Sequence, residues 1–210
     1  MSRKIRQQRQ KKRILILCEG ESEITYLGLS VSTYKVGRHF VTLGSKPFKN
    51  LEKILAELEN LKPKNGKILP YEEIHLVCDK EKLNNKGRQK SYDNFTAAVK
   101  NLQKSFGTTA LKIITSFPSF EFCLLLHFPI EDSEFKKLHD DKELIKALSK
   151  QHKNYVKANK KWMEDSIFDK ECEDKINLFI KRAEKIKPSD DNSWTKLFDT
   201  VGQIINNSVR

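Results

Sequence analysis

Two short acidic clusters hold the residue types that phosphoryl chemistry needs. Glu19, Glu21 and Glu23 stand in the run ILILCEGESE, and Asp79 and Glu81 in HLVCDKEK. Each cluster follows a continuous apolar run, Arg13 to Cys18 and Glu73 to Cys78, of the kind that a strand buried on both faces requires. Carboxylates brought together at strand ends repel one another, and a bound divalent cation is the simplest relief. Hard oxygen ligands with no His or Cys beside them favour Mg2+ or Mn2+ over zinc. Such an ion polarises a phosphoryl oxygen, activates a water or stabilises a leaving alkoxide, which is the chemistry of phosphodiester cleavage. By residue type alone, the same acids also suit solvated loops or the positive end of a helix. Two features favour a shared site: both clusters follow apolar strands, and Gly20 allows a tight turn beside Glu19.

The elements that must position these acids alternate in type. Strands are expected at Arg13 to Cys18, His39 to Leu43, Glu73 to Cys78 and Ala110 to Thr115. Helices are expected at Ser22 to Tyr34, Phe48 to Leu61 and Tyr92 to Phe106, with a short, very apolar one at Ser119 to His127. The clearest periodicity is Leu51, Ile54, Leu55, Leu58 and Leu61. This alternation predicts an α/β fold with a mainly parallel sheet covered on both faces. In such sheets ligands gather at the carboxyl ends of the strands, where both acidic clusters fall. After Pro129 no convincing strand is seen. Helical spacing continues through Leu144 and Leu148, through Ile176, Phe179 and Ile180, and through Trp194, Leu197, Phe198, Val201 and Ile205. The expected organisation is an arm at 1–12, an α/β domain at 13–130 and a helical extension at 131–210 packed on it.

Charge is distributed unevenly. The 210 residues carry 40 Lys and Arg against 28 Asp and Glu, a formal net charge of +12. Seven positive charges, on Arg3, Lys4, Arg6, Arg9, Lys11, Lys12 and Arg13, fall in the first thirteen residues with no acid among them. The remainder is only mildly basic. Such an arm binds phosphates without reading sequence, or serves as a solubilising tail. The run Lys80 to Lys90 adds Lys80, Lys82, Lys86, Arg88 and Lys90 directly beside the second acidic cluster. These cations suit nucleic-acid phosphate contacts or a solvated loop. In KNYVKANKKW, Tyr155 and Trp162 either stack on unpaired bases or pack a helix.

Other classes are disfavoured. No window approaches the roughly 18 apolar residues of a membrane span, and the basic start is not followed by a signal-peptide core, so a cytoplasmic location is expected. Four scattered cysteines without a CxxC pair support neither a zinc site nor a disulfide framework. No Gly-rich phosphate loop of the P-loop type is present.

The three runs ILILCEGESEITYLGL, HLVCDKEK and ITSFPSFEFCLLLHF together resemble the RloB-like proteins of bacterial phage defence, also called AbiLii-like. The first two also resemble the Toprim fold of topoisomerases, primases and nucleases, in which one strand ends in Glu-Gly and a later one in Asp-x-Asp. The likeness spans roughly Arg13 to Phe128, with a weaker echo at KPSDDN near residue 190. It implies a metal-dependent nuclease in antiphage, abortive-infection defence, acting on DNA or RNA beside an ATPase partner encoded nearby. Carried over by position, Glu19 is the proton-transfer residue close to the metal, and Asp79 and Glu81 are ligands to Mg2+ or Mn2+. Glu81 stands where a second Asp is usual, so the second ligand reaches further than in the family pattern. Glu21 and Glu23 are helix-start charges or supporting groups around the metal. Glu121 is either a member of the site or one half of a structural ion pair. His127 lies six positions on, roughly 600° around the helix, and so faces elsewhere, as a satisfied core or helix-end residue. Ser119 is the expected N-cap of that helix. The rival reading is a non-catalytic Toprim-like subunit that senses nucleic acid or regulates the ATPase.

Overall fold

The computed structural model describes residues 12–64, 67–80, 86–135, 138, 140–152, 155–188 and 193–208. Strands β1 (Ile14–Cys18), β2 (Val41–Leu43), β3 (Glu73–Asp79) and β4 (Ala110–Phe117) form a parallel sheet with β1 and β3 at its centre. Cys18 pairs with Val77 and Asp79 with Ser116, so the ends of the three longest strands emerge along one edge. The strand order is β2-β1-β3-β4-β5.

The apolar runs become strands buried on both faces because their alternate residues enter two separate cores. Ile14, Ile16 and Cys18 face one core, and Leu15 and Leu17 the other. The second core is covered by α2 (Leu51–Leu61) and α3 (Lys86–Leu102), through Ile54, Leu58, Phe95 and Val99. The first is covered by α1 (Glu21–Thr33) together with the helices of the later chain. Those are α4 (Glu121–Leu125), α5 (Asp132–Phe135), α6 (Asp141–Gln151), α7 (Lys160–Ser166), α8 (Cys172–Ala183) and α9 (Leu197–Asn206). The later helices therefore complete one face of the sheet. Among the described residues no helix is long and apolar enough to cross a membrane.

Three expectations need correction. A fifth strand, β5 (Trp194–Thr195), pairs antiparallel with the end of β4, Phe117 opposite Trp194 with their rings stacked 6.2 Å apart. Trp194 thus belongs to the sheet and not to the last helix. The helix expected from Tyr92 begins at Lys86, which puts Arg88 in the first turn of α3. Gly20 has φ of −108°, open to any residue. The glycine leaves room for the Glu23 carboxylate: a Cβ there would lie 2.3 Å from Glu23 Oε2, so a larger residue would displace that side chain.

A carboxylate cleft at the strand ends

The ends of β1, β3 and β4 open into a cleft of about 520 Å3. Its acidic side is formed by Glu19, Glu23, Asp79 and Glu121, with Glu21 exposed at the rim, and its cationic side by Lys49, Arg88 and Lys157.

Glu19 extends the β1 ladder, its amide donating to Val77 O at 2.9 Å, and its carbonyl accepts the Lys49 amide at 2.8 Å. Lys49 adopts φ of 65°, the left-handed region that a non-glycine residue enters only at a cost. Arg88 Nη2 donates to Glu19 Oε2 at 2.6 Å and to the Asp79 carbonyl at 3.0 Å, so one guanidinium spans the ends of the two central strands.

Asp79 is the last residue of β3, and its Oδ1 is fully enclosed with no hydrogen-bond partner among the described residues. Loss of hydration raises its pKa well above the usual carboxylate range, and the charges of Glu23, Glu121 and Glu19 push the same way. Glu23 is the third residue of α1 and folds back over Gly20. Its pKa is pushed up to about 7, first by burial and then by the charges on Glu121 and Glu19. The amides of Gly20 and Glu23 itself oppose that shift, as in the returning arm of a capping box.

Glu121 is only 2% exposed and is fully engaged. Tyr155 donates its hydroxyl to Oε1 at 3.0 Å, Ser119 donates to Oε2 at 2.9 Å, and Lys157 Nζ lies 3.5 Å away. Ser119 therefore serves this carboxylate and does not cap α4, whose N-cap residue is Phe120. Lys157 also pairs with Asp141 at 2.9 Å. Partial desolvation disfavours its charge, but Asp141 and Glu121 outweigh that and raise its pKa. The next residue, Ala158, has φ of 57°, and its amide donates to Ser22 Oγ at 3.0 Å. The chain at 155–158 is thereby fastened over the start of α1.

Of the candidate residues, Glu19, Glu21, Glu23, Asp79, Glu121 and Arg88 line this one cleft. Glu81, Lys82 and the arm residues Arg3, Lys4, Arg6, Arg9 and Lys11 lie outside the described residues. Lys86 opens α3. Lys80 holds its ammonium 6.0 Å from the centres of the Tyr92 and Phe117 rings. Lys12 is paired with Glu73 at the start of β3, at the other end of the sheet from the cleft. Glu73 there also bonds His75 at 2.9 Å and Lys112 at 2.8 Å, and its pKa falls well below the usual range, chiefly through His75. Tyr155 and Trp162 are buried against each other, ring centres 4.7 Å apart, and do not offer faces for bases. His127 is a core residue: its Nδ1 donates to the Cys123 carbonyl, its Nε2 accepts from Tyr26, and its ring stacks on Phe179.

Lys49 and Lys157 escaped the sequence reading. A left-handed lysine leaves no sequence signal, and Lys157 reaches the cleft only through the packing of the later helices on the sheet.

The donors of the cleft suit a hard divalent cation, since all are carboxylate oxygens and one of them, Asp79 Oδ1, is enclosed and unpartnered. Among the described residues, however, no three His, Cys, Asp or Glu side chains are gathered into a metal-holding group. Glu19 is already paired with Arg88.

A mostly parallel α/β sheet with carboxylates at its strand ends defines the general class. A family profile described as RloB-like protein matches residues 14–207, and the chain belongs to that family. The match runs through the later helices as well as the sheet. A search of curated proteins finds no match.

Proposed function

We propose that the chain is a metal-dependent nuclease that cleaves phosphodiester bonds of DNA or RNA in bacterial antiphage, abortive-infection defence. RloB-like membership is consistent with the defence role, and the likeness of the first two acidic blocks to Toprim nucleases supports the chemistry. The observation behind it is Asp79, whose enclosed Oδ1 lacks a partner while three further carboxylates surround the same cleft. A buried, unpartnered carboxylate oxygen is costly, and a cation removes that cost.

Asp79, Glu19 and Glu81 would hold Mg2+ or Mn2+. Chemistry of this kind, polarising a phosphoryl oxygen and activating a water, is what such an ion would supply when bound. Glu19 is the proton-transfer residue beside the metal. Lys49 and Lys157 line the cleft and supply cationic partners for phosphate oxygens. Glu121, held by Ser119 and Tyr155, orients Lys157. The cleft volume lies in the range that encloses a nucleotide-sized ligand. An ATPase encoded nearby is the expected partner.

A second reading, a non-catalytic sensor or regulatory subunit of an ATPase-containing defence complex, is favoured by one observation: Arg88 already neutralises Glu19. Purified protein given DNA, tRNA and total RNA with Mg2+ or Mn2+ tests the enzyme. Metal-dependent cutting that persists undiminished in Glu19→Gln and Asp79→Asn overturns the residue assignment.

A further inference from the structure

Arg88 occupies an unusual position for a substrate-binding cation. Its side chain is 16% exposed and the Glu19 side chain 11%, so this ion pair is largely withdrawn from water. A carboxylate so enclosed needs a counter-charge, and Arg88 supplies it at 2.6 Å while also bonding the Asp79 backbone. A cation held by Asp79 and Glu19 takes carboxylate oxygens at about 2.0–2.6 Å. It would place two positive charges against the guanidinium in the same partly dry space. The two cations compete for one acid.

We propose that Arg88 is a counter-ion latch: it neutralises Glu19 while no metal is bound, and on metal binding it leaves Glu19 for a phosphate of the incoming nucleic acid. This rests on the metal-dependent reading above. A planar guanidinium suits phosphate as well as carboxylate, and Arg88 sits in the first turn of α3 beside the cleft, so the side chain can exchange partners without moving the helix. Metal and phosphate binding are then coupled through one side chain. Nucleic acid gives Arg88 a new partner and thereby strengthens the cation's hold on Glu19, and by linkage the cation strengthens nucleic-acid binding equally. The latch also keeps Glu19 neutralised, and hence the site inactive, until both ligands are present.

Calorimetric titration of Mn2+ into the full chain, with and without a short phosphorothioate oligodeoxynucleotide, tests this. In wild type the oligonucleotide should tighten Mn2+ binding. Arg88→Gln should bind Mn2+ about tenfold more tightly than wild type when alone, and should gain nothing from the oligonucleotide. Asp79→Asn should bind no Mn2+ at this site in either case. Asp79-dependent binding that is unchanged or weaker in Arg88→Gln overturns the latch and leaves the metal reading intact. No Asp79-dependent binding in wild type or Arg88→Gln overturns both. Should Arg88→Gln fail to fold, guanidinium NMR of wild type, assigned with Arg88→Lys, gives the answer: Mg2+ should release the hindered Arg88 Nη rotation, and an unchanged signal overturns the proposal.

Discussion

Tyr155 donates its hydroxyl to Glu121 Oε1 across 3.0 Å, joining a segment of the later chain to the first residue of α4. With Lys157 two positions on, this segment supplies part of the cleft wall. The chain beyond residue 130 thus helps to build the site, through the segment between α6 and α7, as well as to cover the sheet.

Tyr155→Phe removes one of the donors to a nearly fully buried carboxylate while keeping the ring's packing on Trp162. The expected cost is about 1–3 kcal/mol, the penalty for under-satisfying a buried charged acceptor. Urea denaturation should show a lower midpoint with an unchanged slope.

Glu23 gives the metal-free protein a pH dependence of defined sign. Its folded pKa, about 7, lies above the ordinary 4.5, so between those values the folded state holds the extra proton. Stability from this group is therefore greatest below about pH 4.5 and falls as pH rises to about 7, by about 3 kcal/mol at most. Glu23→Gln keeps an oxygen acceptor for the Gly20 amide. It should match wild type near pH 4.5 and exceed it at pH 8 in metal-free thermal unfolding.

His127 acts in the opposite direction. Burial first, with the Lys175 charge adding to it, lowers its pKa to about 3 from 6.5 against the pull of the Cys123 and Leu124 carbonyls. The unfolded chain binds the proton first, so its contribution is complete above about pH 6.5 and is lost as pH falls toward 3. At pH 4.5 the loss is about 3 kcal/mol. His127→Gln should be less stable than wild type at pH 7 yet lose less on acidification. The overlap with the Glu23 window means that each slope needs its own variant.

Lys157→Ala should cost about 1–2 kcal/mol: Lys157 and Asp141 are half-exposed, and the buried Glu121, 3.5 Å from the ammonium, keeps its bonds from Ser119 and Tyr155. It should weaken nucleic-acid binding and reduce the slope of log affinity against log salt by about one unit. Fluorescence anisotropy across a salt series measures both.

The central strands could be read from the sequence because ILILC is an uninterrupted apolar run and LVC before Asp79 continues the same pattern after His75, as burial on both faces requires. The first turns of α3 could not, since Lys86 to Ser91 lacks apolar periodicity and is helical through its continuation into Phe95 and Val99. β5 could not either: two residues form it, and only their pairing with Ser116 and Phe117 makes it a strand. Glu19 and Asp79 were legible as strand-end acids. Glu23 read mainly as a helix-start charge, whereas the fold buries it over Gly20. The engagement of Arg88 with Glu19 and the arrival of Lys157 are tertiary facts, set by how α3 and the segment at 155–158 approach the sheet.

Asp79 is where metal-dependent cleavage is tested most directly. Wild type and Asp79→Asn, matched for folding by circular dichroism, are incubated side by side with labelled DNA, tRNA and total RNA, with Mn2+ and with chelator. Wild type should cut only with the metal, and cutting should fall to the chelator level in Asp79→Asn. Equal metal-dependent cutting by both proteins, or none by wild type on any substrate even with its ATPase partner present, contradicts the nuclease reading.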